Sequence, residues 1–90
     1  MKLTNKDVYL QLVEQKFVQE IIKEYEHLYP FTENSIAVEY NDEFEQCSVW
    51  LGFEDQFAIR DAFGNWRQAS AEECIALKNG SLRGTMKLIN

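Results

Sequence analysis

The chain has 90 residues and a formal net charge of −6, with 46% hydrophobic, 13% aromatic and 27% charged residues, one Pro and four Gly. That length suits a single globular domain and argues against disorder. No apolar run approaches the roughly 18 residues of a membrane span, and the acidic balance disfavours binding to phosphate-rich surfaces.

Met1-Lys2-Leu3 leads directly into Thr4-Asn5-Lys6-Asp7, a helix start with Thr4 as N-cap and an acid three residues on, and not into a signal peptide. Val8, Tyr9, Leu12, Val13, Phe17, Ile21, Tyr25 and Leu28 follow at helical spacing, without Gly or Pro before Pro30. The pattern predicts one long helix over residues 5–28. Leu10, Val18 and Ile22 widen its apolar stripe beyond one face, so the helix sits deep or touches a second surface.

After Pro30 the period becomes two. Ile36, Val38 and Tyr40 mark a first strand, Cys47, Val49, Leu51 and Phe53 a second, and Phe57, Ile59 and Phe63 a third. A three-residue loop, Glu54-Asp55-Gln56, pairs Phe53 with Phe57 and Leu51 with Ile59 on one buried face. Trp50 then lies opposite Arg60 on the other face, within reach of a cation–π contact, among Ala37, Ser48, Gly52, Ala58 and Ala62. Such a Trp among small residues suits a docking surface; the alternative is a cover of C-terminal helix and tail.

Gly64-Asn65 reads as a tight hairpin turn into a short fourth strand at Trp66-Arg67. Ser70-Ala71-Glu72-Glu73 is a capping box that opens a short helix through Cys74 and Leu77, and Asn79-Gly80 stops it. A basic tail ends the chain, with Met86, Leu88 and Ile89 as candidates for docking as a strand or extended arm. The expected fold is α+β: a long N-terminal helix on an antiparallel meander of three or four strands, then a short helix and tail, in one domain over residues 1–90.

Charge is distributed unevenly along this order. Residues 1–30 carry four Lys against five acids, residues 31–60 one Arg against seven acids, and residues 61–90 four cations against three acids. Between Lys23 and Arg60 stand nine acids and no Lys or Arg. Glu39, Asp42, Glu43 and Glu45 form the densest group, Phe44 sits among them, and Glu54 and Asp55 mark the next turn.

The acidic group has no Gly at the position a calcium loop requires, and Cys47, Cys74 and His27 form no local pair of zinc ligands. Paired catalytic carboxylates need a low-dielectric pocket, which a connecting loop does not provide. Neither a phosphate-binding Gly-rich loop nor a nucleophile elbow occurs. The two cysteines fit reduced thiols in a cytoplasmic protein. No metal or cofactor is expected, nor direct nucleic-acid or membrane binding.

These exclusions leave a small non-enzymatic protein that binds, and inhibits or neutralises, another protein through a basic, often nucleic-acid-binding surface. Immunity proteins, antitoxins and anti-CRISPR proteins offer an analogy of size and charge only. The candidate contact residues are Glu39, Asp42, Glu43, Phe44, Glu45, Trp50, Glu54, Asp55 and Arg60. A self-associating structural protein, possible as a homodimer, is the second expectation and a small enzyme the third.

Overall fold

The computed structural model describes residues 3–28, 30–41 and 46–79. In chain order they form α1 (Asn5–Leu12), α2 (Lys16–Tyr25), β1 (Ala37–Asn41), β2 (Gln46–Trp50), β3 (Phe57–Arg60), β4 (Trp66–Gln68) and α3 (Ala71–Asn79). The class is α+β, and the sheet is an antiparallel meander in the order β1-β2-β3-β4. The expected docking of the tail falls outside the described residues.

The Thr4 capping box forms: Thr4 Oγ1 accepts from the Asp7 amide and the Asp7 carboxylate accepts from the Thr4 amide, each at 3.1 Å. These bonds hold the Asp7 carboxyl below its ordinary range, the backbone donor contributing most. The single long helix does not form. After Leu12 the chain tightens through Glu14 and Gln15 amides that bond three residues back, and Gln15 turns extended at φ −83°, ψ 130° before α2 starts. The cause is the spacing of the buried residues. Val8 and Leu12 of α1 and Val18 and Ile21 of α2 all enter the core. In an unbroken helix of 3.6 residues per turn, Ile21 would point about 140° away from Val8. Breaking the helix lets both sets face one sheet.

On that side Val8, Leu12, Val18 and Ile21 pack with Ile36, Cys47, Val49, Leu51, Phe53 and Ala58. Four rings bind the connections to the helices: Tyr9 stacks on Phe31 at 5.5 Å, Phe31 meets Phe53 at 5.9 Å, and Phe53 stacks on Tyr25 at 5.3 Å. Offset ring pairs of this kind add roughly 0.5–1.5 kcal/mol each beyond the area they bury.

The β2–β3 register differs from expectation. Trp50 pairs with Phe57 and Cys47 with Arg60, so the connection spans residues 51–56 and not three residues. The Leu51 amide donates to the Gln56 carbonyl and the Gln56 amide to that of Phe53, each at 3.0 Å, while Gly52 and Glu54 adopt positive φ of 84° and 42°. An odd shift of three exchanges the faces of β3. Phe57 therefore lies with Trp50 and Ala37 on the far side of the sheet, under Ala69, Cys74 and Leu77. Ala58 takes the core side. Period-two reading assumes one buried face, whereas here both faces are covered and alternation loses its meaning.

The β3–β4 hairpin closes through residues 61–65, with Gly64 at φ 86° as the left-handed residue of a three-residue loop. Phe63, expected on the third strand, is instead at this turn and 90% exposed.

Gly52 tests the turn. A Cβ placed there would stand 2.5 Å from the Ser35 carbonyl oxygen, at a φ that side chains rarely adopt. Gly52→Ala should therefore lower stability by about 1–3 kcal/mol in urea denaturation. Wild-type stability in that variant would show that the 30–36 loop and this turn do not pack closely.

Candidate interaction surface

The ladder fixes which turns share an end of the sheet. Asn41 pairs with Gln46, and Arg60 pairs with both Cys47 and Trp66. β1 therefore ends, and β2 begins, at the sheet end from which the 61–65 turn leaves. The 51–56 turn lies at the other end, beside Ser35 of the loop that carries Glu33. Asp42, Glu43, Phe44 and Glu45 lie outside the described residues.

The 61–65 turn is tightly organised. Asp61 Oδ1 accepts from the Phe63 and Asn65 amides, both at 2.9 Å, and the Asp61 amide donates to the Asn65 carbonyl at 2.9 Å. The bond from the Asn65 amide is the largest of several that keep the Asp61 carboxyl below its ordinary range. These bonds fix the backbone under Phe63, an aromatic side chain almost wholly in solvent. Sequence alternation placed Phe63 on a strand; the usable signal was the D-x-x-G spacing of Asp61 and Gly64, which suits a three-residue loop better than a two-residue one.

Trp50 and Arg60 do not meet. Trp50 is buried under α3, and its indole N–H donates to the Glu54 carbonyl at 2.8 Å. The docking role expected for that face is replaced by cover from the protein's own helix. Arg60 lies on the opposite face of the sheet, between Cys47 of β2 and Trp66 of β4 in the ladder. Its Nε is buried with no hydrogen-bond partner, and its terminal nitrogen would lie 3.0 Å from a Cβ at Gly64. The guanidinium thus runs under the same turn that lifts Phe63. Glu39 is half-buried in the middle of β1. Glu54 and Asp55 are exposed at the far end, where Asp55 pairs with Lys78 of α3 at 2.9 Å.

The cover over Trp50 is fastened at its start. Arg67 donates from both terminal nitrogens to the two Glu73 carboxylate oxygens at 2.7 and 2.8 Å, while Glu73 also accepts from the Ser70 amide and Ser70 Oγ from the Glu73 amide. Arg67 first, then the Ser70 amide, holds the Glu73 carboxyl down to about 2.

The sites with chemical potential are poor in it. Both cysteines are free. Burial pushes the Cys47 thiol up to about 11, so it stays protonated near neutral pH. Burial also raises Cys74, which lines a groove of about 400 Å³ between α3 and the 51–56 turn with Phe57, Ala69 and Ile75. Among the described residues no three His, Cys, Asp or Glu side chains group to hold a metal, and no helix is long and apolar enough to cross a membrane. The chain matches no family model, no curated protein and no solved structure.

The Arg67–Glu73 pair gives a pH dependence of known sign. A carboxyl held below its ordinary value of 4.5 binds fewer protons folded than unfolded. Its contribution is therefore complete above about 4.5 and fades as pH falls towards about 2. Both side chains are substantially exposed, so the contribution is under about 1 kcal/mol. Glu73→Gln should flatten the loss of stability over that window in urea titrations. An unchanged acid limb would mean that the clasp does not hold in solution.

Proposed function

We propose that this is a cytoplasmic, non-enzymatic protein that binds another protein, and inhibits or neutralises it, by setting an acidic surface with an aromatic anchor against a basic patch. Such a patch is commonly a nucleic-acid-binding site, and immunity proteins, antitoxins and anti-CRISPR proteins are the analogous kinds of molecule. The observation that carries this reading is Phe63. An aromatic 90% exposed on a hydrogen-bonded turn contributes little to its own fold. It lies at the sheet end where Asn41 pairs with Gln46, the two residues that flank Asp42, Glu43, Phe44 and Glu45 in sequence. An aromatic inside an acidic rim matches the division of labour at many interfaces, where the ring is desolvated and the charges steer.

The proposed contact residues are therefore Phe63 on the 61–65 turn, Glu39 on β1, and Asp42, Glu43, Phe44 and Glu45, with Phe44 and Phe63 as anchors. Trp50 drops out because it is covered. Glu54 and Asp55 lie at the opposite end and contribute at most to the long-range field.

Changing Asp42, Glu43 and Glu45 together to their amides should slow association with the partner recovered by affinity capture and flatten its salt dependence. Phe63→Ala, and equally Phe44→Ala, should leave association near wild type and speed dissociation, at a cost of about 2 kcal/mol or more for a hot spot. Association and dissociation rates at low and moderate salt measure both. Wild-type rates in all variants would remove this end of the sheet as the contact surface.

A further inference from the structure

The helical side of the molecule carries a second surface. Two shallow clefts, of about 620 and 330 Å³, meet at Tyr9. Together they form a strip in which Val13, Ile22, Pro30 and Phe31 lie on one side of Tyr9 and Leu10 on the other, the last 49% exposed. One end of the strip carries Lys6 and Glu33, the other Glu26 and His27. Among the described residues, neither Lys6 nor Glu26 makes an ion pair.

We infer that this strip is the contact between two copies of the chain. Two-fold symmetry brings the same patch together in reverse direction. An axis through Tyr9 lays the Lys6–Glu33 end of one copy against the Glu26–His27 end of the other. Lys6 then faces Glu26 of the second copy, and Glu33 faces its His27, twice over by symmetry. The apolar middle supplies the desolvated core of the contact and the charged ends its rim. The strip draws mainly on residues 1–30, where four Lys nearly balance five acids, while the strongly acidic stretch of 31–60 contributes only Glu33 to its ends. For a chain of net charge −6, two copies repel far less here than across the 31–60 stretch. No residue of the 61–65 turn lines the strip, so the pairing is independent of the hetero-partner proposed above.

The test is sedentation equilibrium of the purified full chain up to a concentration on the order of 100 μM, with circular dichroism on every variant to confirm folding. Wild type should form a dimer. Leu10→Glu should weaken it roughly a hundredfold. Lys6→Glu and Glu26→Lys should each weaken it roughly fivefold to tenfold, and the double variant Lys6→Glu/Glu26→Lys should recover most of the loss. Lys6 and Glu26 are exposed, so the exchange remains informative if Leu10→Glu fails to fold. A wild-type monomer throughout that range overturns the inference. So does a dimer that ignores all four variants, because the contact must then lie elsewhere.

Discussion

The register between β2 and β3 governs the rest of the molecule. With Trp50 opposite Phe57, two of the largest apolar side chains stand side by side on the face away from α1 and α2. That face cannot be left to water, and α3 is the element that covers it. A register three residues different would return Phe57 to the helical side and leave Trp50 against a charged guanidinium. The turn at 51–56 makes the observed register possible because Gly52 accepts a positive φ where the Ser35 carbonyl comes close. Its side chains serve the helical core at the same time, since Leu51 and Phe53 are both buried there. One turn therefore fixes both layers.

The two layers are unequal in construction. The helical side is a continuous apolar core with a run of four stacked or tilted rings. The α3 side rests on three buried residues, Ala37, Trp50 and Phe57, with Ala69, Cys74 and Leu77 above them. No residue of α3 is itself fully buried. Polar contacts at its two ends compensate for that thin apolar cover: the Arg67–Glu73–Ser70 clasp at its start and the Lys78–Asp55 pair near its end. Helix burial of this partial kind places α3 at the low-stability end of the fold, where local opening precedes global unfolding.

Much of this order was legible in the sequence. Thr4 and Ser70 announced the starts of α1 and α3 through chemistry that acts within four residues, and local hydrogen bonds are what a sequence encodes most directly. The four strands were readable to within a few residues. What failed was whatever depended on a second surface. The break at Gln15 has no Gly or Pro to signal it, only a stripe too wide for one face at Leu10, Val18 and Ile22. The β2–β3 register was misjudged because alternation was weighed for one buried face when α3 covers the other. At the candidate surface, Glu54 and Asp55 lie on the turn at the opposite sheet end from Asp61, as the order of a meander requires. The place of Phe63 was not legible in this way, because an aromatic in period with Phe57 and Ile59 reads as core until the turn chemistry of Asp61 and Gly64 is given priority.

Stability and surface charge are separable in this fold. Among the described residues no polar or charged side chain is fully buried, and the two ion pairs that form are exposed. Exposed pairs contribute little, so the folded state depends on apolar packing and not on the balance of acids and bases. A chain built this way can carry six excess negative charges at a cost set only by screened, long-range repulsion. Arg60 is the partial exception. Its Nε is sealed beneath the 61–65 turn without a partner, which costs free energy that apolar packing around it must offset. Asp61, at the same end of the sheet, feels its charge. This buried guanidinium nitrogen thus lies under the turn that presents Phe63. It packs against Gly64 and so supports that turn.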